Sequence, residues 1–364
     1  MTRIVVGLSG GVDSSVAAAL LVEAGHEVIG VTLRTTPWAE PADGPARFGA
    51  CCSPATAGVA RAVARQLGIR YYLLNHEREF AHRVIADFTR EYRDGRTPSP
   101  CVVCNREVKF GTLLGRALAW EAEAVATGHY ARITRDPASG RLLLREGRDR
   151  AKDQSYFLWP LDQAQLARAV FPVGGLTKAE VRAKAHALGL PTAEAPESQE
   201  LCFVPGDYRA FLRARVPEAF VPGPILDEQG RRLGQHAGLG AYTVGQRRGL
   251  GIAEGKPRYV LRLDAKQNTV VVGPRASLGV GSVRARDVNW IAHEPPAEPL
   301  RVEVRMRHGA SRVPAVVTPV GPGGVEVRFV TAQDAVSPGQ SVVFYRGDLV
   351  VGGGIIVDAY TDAP

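Results

Sequence analysis

Apolar residues fall in short solid runs at Arg3 to Leu8, Val28 to Leu33 and Ile69 to Asn75. Between them the spacing changes to the three-and-four step of a helix. That step covers Val12 to Ala24, a stretch opened by Ser53-Pro54, and a segment carrying Phe80, Val84, Ile85 and Phe88. Ser53 suits an N-cap with Pro54 in the first helical position, and Gly25 and Gly68 suit helix ends. Strand and helix in alternation predict a parallel sheet covered by helices on both sides, the first of them, Val12 to Ala24, read as amphipathic. Beyond residue 150 the pattern turns helical, with Thr177 to Glu180 forming a capping box and Gly189 and Pro191 ending the helix. From Pro205 onward glycine and proline are frequent and apolar residues alternate. Tyr259 to Leu263 and Thr269 to Val272 read as a hairpin turned at Ala265 to Asn268, and Val302, Val304 and Met306 alternate with arginine and glutamate. The predicted fold is an α/β parallel-sheet domain with a helical extension over 1–206, a basic β-rich module over 207–280 and a second, barrel-like β-rich module over 281–364.

Composition bears on compartment and partners. The chain has 364 residues, 45% hydrophobic and 23% charged, a soluble globular make-up too long for a single core. No secretory apolar segment opens it and no run reaches eighteen apolar residues, so a cytoplasmic protein without membrane partners is expected. The net charge of +8 is uneven: +3 over 1–206, +6 over 207–280 and −1 over 281–364. A compact basic module between near-neutral ones fits contact with a polyanion.

The stretch Gly7-Leu8-Ser9-Gly10-Gly11-Val12-Asp13-Ser14-Ser15 stands between the first strand and the first helix. Gly10 and Gly11 let backbone N–H groups approach phosphate, and Ser9, Ser14 and Ser15 offer hydroxyls at the positive end of the helix. It carries no Walker lysine and no G-x-G-x-x-G. SGGxDS is the pattern of a pyrophosphatase-type (PP) loop, which splits ATP between its α and β phosphates, and Asp13 suits Mg²⁺ or phosphate orientation.

Five cysteines, Cys51, Cys52, Cys101, Cys104 and Cys202, are too unevenly spaced for a disulfide framework and read as catalytic, redox or metal-binding. Thr97-Pro98-Ser99-Pro100-Cys101-Val102-Val103-Cys104 is a proline-stiffened loop ending in C-x-x-C, with Cys104 expected at the start of the next helix near Lys109, where thiolate is favoured. Half of a zinc ribbon is the alternative, but it needs a second C-x-x-C. Cys202, in Ser198-Gln199-Glu200-Leu201-Cys202-Phe203, reads alone as a core thiol and beside a poised cysteine as its partner in sulfur transfer. Cys51-Cys52 suit loop packing.

Along nearly its full length the chain resembles the tRNA-specific 2-thiouridylase family of the PP-loop superfamily. The likeness rests on SGGVDS, the proline-cysteine loop, Ala126-Thr127-Gly128-His129-Tyr130-Ala131, Lys152 to Leu158, Ser198 to Phe203, Gly245 to Gly251, and Pro338-Gly339-Gln340 followed by Gly352 to Ile356. It implies a HUP-like fold and ATP held by Gly7, Leu8, Ser9, Gly10, Gly11, Val12, Asp13, Ser14, Leu33 and Gly128. It further implies Cys104 as nucleophile and Cys202 as persulfide carrier, the two forming a disulfide when idle. Ser99, Pro100 and Cys101 would lie near the target base, and His129, Lys152, Asp153, Gln154, Arg307, His308 and Gln340 would contact tRNA. His129 as a hydrogen-bonded core histidine and Lys152-Asp153 as a solvated pair stay open. The implied reaction adenylates C2 of wobble uridine 34 with ATP and Mg²⁺, then transfers sulfur supplied by a cysteine desulfurase or sulfur carrier. The implied substrates are tRNAs for Lys, Glu and Gln.

The better-known family pattern has Asn and Asp where this chain has Ser99 and Cys101. A thiol does not replace an ionised carboxylate in acid–base work, so the proton shuttle comes from elsewhere or Cys101 joins the sulfur chemistry. An alternative reading makes Cys101, Cys104 and Cys202 ligands of a 4Fe-4S cluster. Other readings are a small-molecule adenylating synthetase and a nucleotide-regulated RNA-binding protein.

Overall fold

The computed structural model describes residues 1–38, 53–196, 201–204, 206–252 and 256–361. Cys51, Cys52, Ser198, Gln199 and Glu200 lie outside the described residues. The chain forms two compact units: Met1–Ile85 with Cys101–Pro205 and Gly347–Val350, and Ala86–Pro100 with Gly206–Arg346 and Val351–Pro364.

In the first unit, five parallel strands lie in the order Arg70–Asn75, Glu27–Arg34, Arg3–Gly7, Ala124–Ala126, Ala169–Val170. Arg3–Gly7 is central, and the order reverses on its two sides. Such a reversal opens a crevice beyond the carboxyl ends of the strands, the usual ligand position in these sheets. The helix Val12–Glu23 follows the central strand and is buried on most sides rather than amphipathic, since Val16, Ala17, Ala18 and Ala19 leave little polar surface. The expected caps form: Ser53 Oγ accepts from Thr56 N with Pro54 in the first turn, and Thr177 and Glu180 close a reciprocal capping box.

Two helices carry a feature that local pattern did not give. Glu77–Phe80 passes into a widened, π-helical stretch at Ala81–Ile85, and Pro100–Val103 passes into a longer one at Cys104–Thr112. Such widening is rare and concentrates at functional sites.

In the second unit, Tyr259–Asp264 and Thr269–Gly273 pair antiparallel as expected, with Asn268 at φ +47 in the turn. Gly223–Leu226 and Arg232–His236 complete a four-stranded sheet. Six further strands close into a barrel, because Val280–Trp290 pairs with both Val325–Gln333 and Leu349–Tyr360. Val302, Val304, Ala315, Val317, Val327 and Phe344 fill it. The strand Leu300–Arg305 stops before Met306, which packs against this core from outside the strand. Among the described residues no helix is long and apolar enough to cross a membrane.

Candidate active site

The glycine-rich loop lies at the carboxyl end of the central strand. Its entry is fixed by Leu8, whose N–H donates to Val31 O at 2.8 Å and whose carbonyl accepts from Thr32 Oγ1 at 2.7 Å. Gly10 adopts φ +76, and a Cβ there would stand 2.6 Å from Thr56 O. The serine hydroxyls turn inward: Ser14 Oγ accepts from Ser9 N at 3.2 Å and donates to Gly11 O at 3.1 Å, and Ser15 Oγ donates to Gly11 O at 2.9 Å. They shape the loop. The N-cap residue of the following helix, Gly11, has no side-chain cap, so first-turn N–H groups remain for an anion.

Opposite the loop, Gly128 follows the strand Ala124–Ala126. A Cβ at Gly128 would come within 2.6 Å of Ser14 N and 2.7 Å of Asp13 C, so its backbone lies directly on the helix N-terminus. Leu33 is half-buried at the carboxyl end of the neighbouring strand. The loop, Leu33 and Gly128 therefore share one edge of the sheet.

Two residues absent from the expected set complete this edge. Lys178 Nζ donates to Asp13 Oδ1 at 2.7 Å and Oδ2 at 2.8 Å, and Tyr130 Oη donates to Asp13 Oδ1 at 2.7 Å. Lys178 opens the capped helix Lys178–Ala187. It restores beside the loop the ammonium that the motif lacks. Asp13 thus accepts three hydrogen bonds through its two oxygens.

Of the tRNA-assigned residues of this unit, His129, Asp153 and Gln154 make internal hydrogen bonds, and Lys152 is partly exposed. Asp153 is buried and accepts from Gly147 N and Ser155 N, each at 3.1 Å, and from Ser155 Oγ at 3.0 Å. Gln154 Oε1 accepts from Tyr130 N at 3.1 Å, so this turn holds Tyr130 against Asp13. His129 bonds Thr127 Oγ1 through Nδ1 at 2.7 Å and packs near Phe110 and Phe171. Burial, helped by the Lys109 charge, pushes its pKa well below the ordinary histidine value. It has the surroundings of a hydrogen-bonded core histidine.

The expected helix start at Cys104 is displaced. The helix begins at Pro100, whose fixed φ suits a first helical position, and Cys104 lies one turn in, where the π-helical stretch begins. Cys101 is exposed and Cys104 partly exposed, three residues apart and so on one side of the helix. Asn105 Nδ2 donates to Phe157 O at 3.1 Å, tying this helix to the segment after Lys152. Cys202 is partly exposed, and its neighbour Phe203 meets Phe80 edge-on at 5.6 Å. The helix ending at Phe80 packs against Cys104–Thr112, so it links the segment that carries Phe203 to the helix that carries Cys104. Among the described residues no three His, Cys, Asp or Glu side chains gather as a metal site.

Ser99, Pro100, Arg307, His308 and Gln340 belong to the second unit. Arg307 and His308 are exposed in the loop after the strand Leu300–Arg305. Gln340 donates to the carbonyls of Thr97 and Pro98.

Three family models match the chain in succession: a tRNA methyl transferase HUP domain over 2–206, a tRNA methyl transferase PRC-barrel domain over 209–274, and an aminomethyltransferase beta-barrel domain over 280–356. Relatives match over almost the whole chain. A tRNA-specific 2-thiouridylase MnmA from Roseiflexus castenholzii is 52% identical over 98% of this chain and 99% of its own length. One from Heliobacterium modesticaldum is 51% identical over 97% and 92%, and one from Acetivibrio thermocellus is 48% identical over 97% and 99%.

Proposed function

The chain belongs to the tRNA-specific 2-thiouridylase family, and from that premise we propose that it converts wobble uridine 34 of tRNA to 2-thiouridine at the expense of ATP. The observation that carries the nucleotide half is the close seating of Gly128 on the first turn of Val12–Glu23, beside a glycine loop with uncapped N–H groups. A triphosphate finds backbone donors there and, in Lys178, a cation within the same hydrogen-bonded cluster.

The uridine C2 oxygen attacks the α phosphorus, pyrophosphate leaves, and the base carries an O-adenylate. Cys202 holds a persulfide delivered by a cysteine desulfurase or sulfur carrier. Its terminal sulfur adds at C2 and displaces AMP, leaving a disulfide between the base and Cys202. Cys104 thiolate then attacks the Cys202 sulfur, the electron pair of the broken S–S bond remains on the base as C2=S, and a Cys104–Cys202 disulfide forms. A thiol reductant restores both cysteines. What supports this pairing is the packing that links Phe203 through Phe80 to the helix of Cys104.

We assign catalysis to 1–206 and the grip on tRNA to the basic module 207–280 and the barrel 281–364, with Arg307 and His308 on an exposed loop for the purpose. Stacked pairs such as Arg215 over Phe211, at 3.8 Å, add cation and ring surface of the kind that nucleic acids engage. Accepting tRNAs would be those for Lys, Glu and Gln, and the setting cytoplasmic. Nucleoside mass spectrometry of tRNA incubated with the protein, ATP and a persulfide donor tests the reading: 2-thiouridine with matching AMP is expected, and unchanged uridine 34 would overturn it.

A further inference from the structure

The loop that leads to the C-x-x-C is poor in donors of its own. Pro98 and Pro100 have no N–H, so between Thr97 and Cys101 only Ser99 adds one. Carbonyls there need partners from elsewhere. They find them in the turn Pro338-Gly339-Gln340. Gln340 Nε2 donates to Thr97 O at 2.8 Å and to Pro98 O at 3.2 Å, while Thr97 N–H donates to Pro338 O at 2.8 Å. One primary amide carries two hydrogens, and both are spent on this loop.

The turn itself is rigid. Gly339 N–H donates to Ile356 O and Ile356 N–H to Gln340 O, each at 2.8 Å. Contact with the loop is as close as backbones permit: Gly339 has φ +92, and a Cβ would stand 2.9 Å from both Thr97 N and Thr97 O. Just before the loop, Arg96 bonds the buried Glu91 at 2.6 and 3.0 Å.

We propose that Gln340 is a positioning residue for the proline-cysteine loop: it acts through the Thr97 and Pro98 carbonyls to fix the course of Ser99, Pro100 and the residues that follow, and not chiefly through a bond to tRNA. This rests on the thiolation reading for its catalytic consequence and on the hydrogen bonds alone for its structural one.

The test uses the full-length protein with Gln340→Leu, Gln340→Glu and Gly339→Ala. Three quantities are measured: hydrogen exchange at the Thr97 amide, tRNA dissociation constant, and single-turnover thiolation at saturating tRNA. Loss of two neutral hydrogen bonds in Gln340→Leu should speed Thr97 exchange about tenfold. Misplacement of the loop should slow single-turnover thiolation about tenfold. The tRNA dissociation constant should stay within about twofold. Gln340→Glu, which has no donor hydrogens, should match it. Gly339→Ala should reproduce the pattern with the amide still present. Unchanged Thr97 exchange would overturn the proposal, as would weaker tRNA binding with a normal rate at saturation. Should the wild-type chain make no 2-thiouridine, the functional reading fails, and Thr97 exchange still decides the role of Gln340.

Discussion

Lys178 Nζ reaches both carboxylate oxygens of Asp13, at 2.7 and 2.8 Å, across 165 positions of sequence. The ion pair joins the N-termini of two helices, Val12–Glu23 and Lys178–Ala187, at the loop that would receive triphosphate. Asp13 alone opposes a polyanion there, and the ammonium offsets it.

Lys178→Met therefore should weaken ATP binding on the order of tenfold, the effect of baring one carboxylate in a partly dehydrated site. Lys178→Arg keeps the charge and should lose less. Calorimetric titration with ATP reads both, and equal affinity in wild type and Lys178→Met would reduce the pair to a helix-docking contact.

Much of this region was legible from the chain. The short apolar runs gave the parallel strands, Ser53-Pro54 and Thr177 to Glu180 gave helix starts, and Gly10 gave the loop. Local pattern reports local bonding, and the parts it missed are not local. Lys178 reads as an ordinary residue after its N-cap Thr177, and Tyr130 as one aromatic in a motif, because nothing near either shows that Asp13 is its partner. The widened turns at Ala81–Ile85 and Cys104–Thr112 lie on two segments that pack on each other, and no local spacing rule marks them. Asp153 and Gln154 looked like surface groups because their acceptor duties toward Gly147 and Tyr130 appear only once the loop closes.

The glycines divide into two classes that mutation should separate. Gly128→Ala sets a methyl group against backbone atoms of Ser14 and Asp13 that have no rotamer to yield. Gly10→Ala adds the strain of φ +76 to a clash with Thr56 O. Each should cost about 1–3 kcal/mol in stability and lose most ATP affinity. Gly25 has φ +79 and nothing within 4 Å, so Gly25→Ala should cost only ~1 kcal/mol and leave ATP binding intact. Thermal melts with and without ATP distinguish the classes.

Assayed in a single turnover without added reductant, Cys104→Ala and Cys202→Ala should each abolish release of 2-thiouridine, since the transfer needs one sulfur to carry and another to release. Binding of tRNA, which the scheme assigns to other groups, should change less than about twofold. A filter-binding assay beside nucleoside mass spectrometry checks both halves. Cys104→Ala has a further signature: with no thiol to resolve it, a base–Cys202 disulfide should accumulate as a protein–tRNA adduct cleaved by reductant.

Burial lowers the pKa of His129, His76 and His236 below the ordinary value, and His129 furthest. The folded chain thus keeps these rings neutral at a pH where the unfolded chain protonates them. Unfolding takes up protons as pH drops through about 6.5, so stability is full above that value and is lost below it. Each such histidine contributes a slope of up to ~1.4 kcal/mol per pH unit in that window. Urea denaturation at pH 7.5 and 5.5 should show the fall, and His129→Gln, which removes the ring that stays neutral longest, should make the remaining dependence shallower. A profile unaltered by His129→Gln would mean that the ring gains its proton without opening the pocket of Thr127, Phe110 and Phe171, and that His129 is reachable by solvent after all.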